Sequence, residues 1–254
     1  MNEGIGRGAY AYPYCAEVAV ERLRILEILR PELRHDFNSP LGLIKANLGM
    51  VETLAASLTQ LVGTARPAGG GAAAADGAQS DAPGLDLILE NLAPLVGGAL
   101  AQTDRALRAA DALVAFCAGD EASDRADVNQ TVARALELVR GRLKYKYHVE
   151  RRFASLPWAR IAPRDLMHAV VVALLRAAAS APEQTTITAG TAVAEGGIVI
   201  EIEAATGTAA EHPGDPPPIP DLTLSALLLE SSGGNLQMEE HAGGRRYALR
   251  LQCL

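Results

Sequence analysis

One short stretch of this chain combines residue types that could transfer a chemical group: LRHDFNSPLGLIKANLGMVETL, residues 33–54. It places the imidazole of His35 next to the carboxyl group of Asp36, with Ser39 and Pro40 about one helical turn further on. A carboxylate beside an imidazole can orient its tautomer and accept its proton, which leaves the other ring nitrogen nucleophilic. Such a nitrogen can take up a phosphoryl group as a labile phosphoramidate, which suits transfer of the group better than its storage.

The helical phase of this stretch predicts that His35 faces solvent. Apolar residues recur at steps of three and four from residue 26 to residue 61, which indicates a long helix with a heptad-like stripe. His35 is two residues from both Leu33 and Phe37, about 200° from each around the helix, so it should lie opposite the packed stripe. Pro40 removes the amide bond to the carbonyl of Asp36 and should kink the helix beside the imidazole. An exposed histidine with no function is the simpler alternative.

The segment HDFNSPLGLI, residues 35–44, resembles the phosphoacceptor motif of bacterial sensor histidine kinases, His-Glu/Asp-x-x-x-Pro-Leu. In that family the motif lies on the first helix of a dimerising hairpin. The resemblance implies that His35 is the phosphorylated residue and that Asp36 is its acidic partner. Ser39 takes the place of an Asn or Thr that is implicated in dephosphorylating the partner protein. The alternatives are that Asp36 belongs to a solvated face and that the Ser39 hydroxyl satisfies the backbone near the kink.

The first half of the chain is predicted to be a helical hairpin, residues 17–118, after an N-terminal tail, residues 1–16, that we expect to lack a fixed structure. A helix over 17–62 and a second over 85–117 are joined by the Gly-, Ala- and Pro-rich segment 64–84. A single hairpin leaves each apolar stripe half uncovered, whereas two hairpins make a four-helix bundle that covers both. We therefore expect a homodimer.

The second half is predicted to be a domain of helices and strands, residues 128–254, after a polar linker, residues 119–127. Asp127 can cap a helix that begins at residue 128, and Pro163 stands near the start of an apolar helix. A further short helix and several strands, two pairs of them in hairpins, follow from the pattern. The expected fold class is α+β: a long helical hairpin that forms a dimeric four-helix bundle, followed by an α/β sandwich in which helices cover one sheet.

This second domain resembles the ATP-binding domain of the same family, of the histidine-kinase and gyrase type, but its nucleotide motifs are degenerate. An Asn that helps to hold Mg²⁺, an Asp-x-Gly-x-Gly segment that reads adenine and a Gly-x-Gly segment that approaches the phosphates are all missing. A short proline-rich segment, EHPGDPPPIP, replaces the flexible lid. The residues at the corresponding places are Val172 and Arg176, then Ala204, Thr206 and Thr208, then Asp221 and Thr223. We therefore expect that the chain binds no nucleotide, cofactor or metal.

Composition narrows the remaining classes of function. The net charge of −7 argues against nucleic-acid binding, which needs a basic surface. No continuous apolar run reaches the roughly 18 residues of a membrane span, and residues 1–14 do not resemble a signal peptide. The three cysteines, Cys15, Cys117 and Cys253, are far apart, which is typical of reduced thiols in a cytoplasmic protein. The Cys and His residues show no metal-ligand spacing.

Two further features receive plain interpretations. The other histidines, His148, His168, His212 and His241, have no catalytic neighbours in the sequence. The basic stretch RLKYKYHVERR, residues 142–152, is interpreted as a solvated surface, with a site for an acidic partner as the alternative.

A phosphoacceptor without the means to charge itself predicts a histidine phosphotransferase of a phosphorelay, which exchanges a phosphoryl group between His35 and receiver-domain aspartates. The receiver would supply Mg²⁺. The expected partners are a second copy of the chain, response-regulator receiver domains and, as a further candidate, a hybrid histidine kinase. Two alternatives stay open. One is a pseudokinase scaffold that dimerises and docks a receiver or a kinase without transfer, and the other is an active histidine kinase with an atypical nucleotide pocket.

Overall fold

The computed structural model describes residues 15–65, 85–117, 123–194, 196–205, 219–241 and 243–254. Two long helices come first: α1, Cys15–Ala65, and α2, Leu85–Cys117. Their bounds agree closely with the predicted helices, and α1 continues as a helix through Pro40 while α2 continues through Pro94. The predicted tail up to residue 14, the connecting segment 66–84, residue 118 and residues 119–122 of the linker lie outside the described residues.

The second half contains four further helices and five strands among the described residues. The helices are α3, Val128–Leu138; α4, Arg140–Leu143; α5, Pro163–Ser180; and α6, Thr223–Ser231. The strands are β1, His148–Phe153; β2, Thr186–Ala194; β3, Gly197–Ala205; β4, Asn235–His241; and β5, Gly244–Leu251. The two start signals are confirmed: the Asp127 carboxylate accepts a hydrogen bond from the Gln130 amide at 2.9 Å, and Pro163 occupies the first turn of α5.

The five strands form one mixed sheet in the order β1-β2-β3-β5-β4. The β1 and β2 strands are parallel, and all other neighbours are antiparallel. Every second residue of β3 is buried: Ile200 and Ile202 are fully buried, while Glu201 and Glu203 lie on the opposite face of the sheet. Helix α5 covers the buried face and has thirteen buried residues. A long helical region followed by a mixed sheet covered by helices confirms the predicted α+β class.

The chain divides by packing into two compact units, Met1–Leu33 with Ala110–Leu254, and Arg34–Ala109. In the first unit, the two ends of the hairpin share one apolar core with the sheet and its helices. Ile25 and Leu29 of α1 and Ala112 and Phe116 of α2 are fully buried in the same cluster as the apolar face of α5. The beginning of α1 and the end of α2 are therefore covered by the second half of the same chain.

Helix α1 has one property that the sequence analysis did not expect. Within Ala16–Gln60 it contains an 18-residue window with a mean hydropathy of 1.2, none of it buried, which is long and apolar enough to cross a membrane by length and composition alone. No other helix among the described residues passes that test. Since a helix with an uncovered bundle seam is equally apolar, the window fits an unpartnered hairpin as well as it fits a membrane span.

Candidate functional site

His35 lies on α1, on the second compact unit, and its side chain is 58% exposed. The exposure was predicted from the phase of Leu33 and Phe37, although the residues that α1 buries near this point are Asp36 and Pro40. The imidazole is thus open to a visiting protein rather than enclosed among apolar side chains.

The carboxyl group of Asp36 is placed very differently from the imidazole beside it. Its side chain is only 7% exposed, and its Oδ1 lies 3.7 Å from Nδ1 of His35. The interpretation of Asp36 as part of a solvated face is therefore wrong. A separation of 3.7 Å is too long for a hydrogen bond, and it places the carboxylate on the Nδ1 side of the ring.

Ser39 lies one turn after His35 and is exposed. Its hydroxyl makes no hydrogen bond among the described residues, whereas the hydroxyls of Thr53, Ser57 and Thr59 further along α1 each donate to the carbonyl four residues earlier, at 2.8–3.1 Å. The alternative in which Ser39 satisfies the local backbone is therefore not what the structure shows. Its hydroxyl is available to a ligand.

The two long helices pack closely against each other in the second compact unit. Asp36 and Pro40 of α1 are buried, and α2 approaches α1 closely at Gly98. A Cβ on Gly98 would lie only 2.8 Å from Nδ2 of Asn47, so a larger residue there would require Asn47 to move. Small residues at this crossing allow the two helices to pack.

Several large apolar residues of the two long helices are exposed. They are Leu41 and Leu48 on α1, and Leu89, Val96, Leu100 and Leu107 on α2, and of these Leu41, Leu48 and Leu107 belong to the predicted stripes. The α2 residues recur at steps of seven, four and seven, which is the spacing of a bundle seam. The single chain therefore leaves a second apolar face of the hairpin uncovered.

The residues that were matched to the nucleotide motifs of the resembling family make contacts within the chain itself. The Arg176 guanidinium of α5 donates a hydrogen bond of 3.0 Å from Nη1 to the carbonyl of Pro220, just before α6. The Asp221 carboxylate accepts a 2.8 Å bond from the Thr223 amide, and this bond, with a smaller effect of Arg176, lowers the pKa of Asp221. Val172 and Ala204 are fully buried. The other two of these residues, Thr206 and Thr208, lie outside the described residues.

A buried polar cluster in the first compact unit was missed by the sequence analysis. Nε2 of His168 lies 3.0 Å from Oε1 of Glu21, and Nη2 of Arg22 donates to Oδ1 of Asp165 at 3.1 Å. The His168 ring is fully buried and stacks on Phe116, with 6.4 Å between ring centroids. Burial is the main cause that lowers the pKa of Arg22. We call these four residues, Glu21, Arg22, Asp165 and His168, the basal polar cluster.

The basal polar cluster joins the first turns of α1 to the first turns of α5. Its pairs connect residues 143 and 147 positions apart in the sequence. The only local signal is the spacing of charged residues. Glu21 and Arg22 are adjacent on α1, and Asp165 and His168 are three residues apart on α5. Among the described residues, no group of three His, Cys, Asp or Glu side chains is placed to hold a metal ion.

The two long helices followed by a covered five-stranded sheet are the arrangement that the resemblance to sensor histidine kinases predicted. No family model and no curated protein matches the chain. Among solved structures, the Acinetobacter baumannii histidine kinase AdeS is 11% identical with a TM-score of 0.40, over 86% of this chain and 97% of that one. A structure described as a bacterial phosphotransferase is 18% identical with a TM-score of 0.38, over 89% and 96%. The mycobacterial sensor histidine kinase MprB is 17% identical with a TM-score of 0.42, over 51% and 98%. At these TM-scores the similarities carry no argument about activity.

Proposed function

We propose that this chain is a histidine phosphotransferase of a two-component phosphorelay, which passes a phosphoryl group between His35 and receiver-domain aspartates without binding ATP. The observation that carries the proposal is the imidazole of His35, which is more than half exposed on a helix and has a buried carboxylate 3.7 Å from its Nδ1. This arrangement keeps one ring nitrogen near a negative charge and leaves Nε2 for a reaction.

In the proposed reaction, His35 is neutral with its proton on Nδ1, and the lone pair of Nε2 attacks the phosphorus of an aspartyl phosphate on the receiver. The Nε2–P bond forms while the P–O bond to the aspartate breaks, so that the electron pair of the broken bond stays on the receiver carboxylate. The phosphorylated ring retains the Nδ1 proton and is positively charged. Asp36 stabilises that charge, and the reverse reaction returns the phosphoryl group to another receiver.

The surface next to His35 would allow a receiver domain to bind close to the imidazole. Ser39 can donate its hydroxyl proton to a phosphoryl oxygen. Gly42 and Gly49 follow on the same side of α1, and the space where their side chains would lie is empty to at least 4 Å. Backbone that is exposed in this way lets another protein approach closely.

ATP-independent function is supported by the contact between Arg176 and Pro220. A guanidinium cannot coordinate Mg²⁺ and would repel it, and Asp221 would add negative charge near a triphosphate. We propose that the chain binds no cofactor and that Mg²⁺ enters with the receiver, where it stabilises the charge of the transferred group. The sheet domain then serves as a docking surface and a brace.

We also propose that the chain acts as a cytoplasmic homodimer. The uncovered apolar face of the hairpin needs a partner, and a second hairpin with the same face forms a four-helix bundle. The partners beyond the second copy are receiver domains and, as a further candidate, a hybrid histidine kinase. No contact with nucleic acid or with a membrane is part of the proposal.

The uncovered face leads to a direct test of the dimer. Replacing Leu100, which is 61% exposed, with aspartate should convert the dimer to a monomer, because the new charge would be buried in the bundle seam. The matched control is Val193→Asp, since Val193 has the same exposure on the sheet domain. Sedimentation equilibrium checks the result. A wild-type chain that is monomeric, or a Val193 variant that dissociates equally, contradicts the proposal.

Labelling experiments separate the proposal from its two alternatives. The protein is mixed either with radiolabelled ATP alone or with a receiver domain that a small-molecule phosphodonor has labelled, for each receiver encoded near it. Label that arrives only from the receiver supports phosphotransfer. Label from ATP alone would identify an active histidine kinase. Receivers that bind the protein in a pull-down but pass it no label would identify a scaffold.

A further inference from the structure

Strand β1 differs from the other strands in being exposed at all six of its residues. It lies at the edge of the sheet, where β2 is its neighbour on one side. An edge strand presents unpaired amide and carbonyl groups to solvent, and an extended segment of another chain can pair with them.

The register of β1 shows which backbone groups point away from the sheet. The amides of His148 and Ala154 donate to carbonyls of the β2 side, at 2.9 Å and 3.2 Å. Since hydrogen bonding to one neighbour alternates along a strand, the amides and carbonyls of Val149, Arg151 and Phe153 point outward. Among the described residues, no backbone group bonds to these three donors and three acceptors, so a further strand can pair with them.

The side chains of the same three residues share one face of the strand and are all exposed. Val149 is 37% exposed and Phe153 is 36% exposed, with Arg151 between them. Charged residues on an edge strand usually prevent association. Val149 and Phe153 are apolar and exposed on the same face, so they do not prevent association in this way.

Among the described residues near β1, three cationic side chains each pair with a carboxylate, but Arg151 does not. Arg142 pairs with Glu32 at 3.3 Å, Lys146 with Glu183 at 2.9 Å, and Arg152 with Glu150 at 2.8 Å. Arg151 has no acidic partner among the described residues, although the whole chain carries a net charge of −7. An acidic group supplied from outside would complete the pattern.

We propose that β1 is a strand-addition site for an extended protein segment with an apolar residue, an acidic residue and an apolar residue at alternate positions. Its acidic side chain lies opposite Arg151, and its apolar side chains lie opposite Val149 and Phe153. Backbone bonds to the outward amides and carbonyls supply affinity, and the three side chains supply selectivity. The site is independent of His35 and of phosphoryl transfer.

The test uses the full-length protein and two synthetic heptapeptides in which threonine occupies every other position. The three positions between the threonines are valine, glutamate and valine in the first peptide. They are valine, lysine and valine in the second. We expect the glutamate peptide to bind about tenfold more tightly than the lysine peptide, measured by titration calorimetry up to about 1 mM peptide. Amide hydrogen exchange should slow at Val149, Arg151 and Phe153 when the glutamate peptide is bound. A glutamate peptide with N-methylated amides should not bind, because it cannot add to the sheet.

Arg151→Glu should reverse the preference between the two peptides. Arg30→Glu makes the same change of charge at an exposed position of α1 and should leave the preference unchanged. The proposal is overturned if neither peptide binds, if both bind equally, if Arg30→Glu has the same effect as Arg151→Glu, or if the exchange protection appears elsewhere. All variants alter exposed side chains, so loss of folding is not expected, and circular dichroism verifies this.

Discussion

Replacing His35 with glutamine is expected to abolish the transfer of label from a phosphorylated receiver, with a rate at least about 1,000-fold lower than that of the wild type. The amide nitrogen of glutamine is not nucleophilic, so no bond to phosphorus can form at this position. The His35 side chain is 58% exposed, so the substitution should leave the fold and the dimer intact. Rapid-quench labelling measures the rate, and sedimentation measures the dimer.

A second histidine provides the matched control for this experiment. His148 is also exposed and lies on β1, which belongs to the other compact unit. The His148→Gln variant should transfer label at the wild-type rate. Persistence of transfer in the His35 variant, or its loss in the His148 variant, would place the phosphorylated residue elsewhere and would refute the proposed function.

Removing one partner from the basal polar cluster should strongly destabilise the protein. Asp165→Asn leaves the Arg22 guanidinium buried with no carboxylate, and breaking a buried ion pair in this way costs about 3–5 kcal/mol of unfolding free energy. Urea unfolding followed by circular dichroism measures the loss. The double variant Arg22→Met with Asp165→Leu should recover most of the stability, because apolar residues can replace a buried pair of similar volume.

An exposed ion pair in the same compact unit is the natural comparison. Arg134 donates to Asp111 at 2.8 Å, and the two side chains are 32% and 57% exposed. Asp111→Asn should cost less than about 1 kcal/mol. If Asp165→Asn costs no more than Asp111→Asn, water reaches the cluster and the buried-pair interpretation is wrong.

The elements of the fold could be predicted from the sequence because each one has a local signal. The long apolar period predicted α1 and α2 to within a few residues, Asp127 and Pro163 marked the starts of α3 and α5, and alternation predicted the strands. The strand order and the parallel pairing of β1 with β2 have no local signal. They depend on which apolar faces meet over α5, and this becomes visible only in three dimensions.

The candidate site was predictable to a similar degree. Helical phase was sufficient to predict that His35 is exposed. The same pattern could not show that Asp36 is buried, because a stripe of apolar residues does not tell which of its flanks faces the neighbouring helix. The pairing of His168 with Glu21 was out of reach, since neither residue has a distinctive neighbour and 147 positions separate them.

That long separation bears on how the chain folds as it leaves the ribosome. The first turns of α1 are synthesised before α5, which shares a buried cluster with Ile25 and Leu29 and whose Asp165 follows Arg22 by 143 positions. At about 5–20 residues per second, the nascent helix waits roughly ten seconds for its covering surface. During that interval the apolar face of α1 is exposed to aggregation and to chaperones. The synthesis of α5 is the step that protects this face.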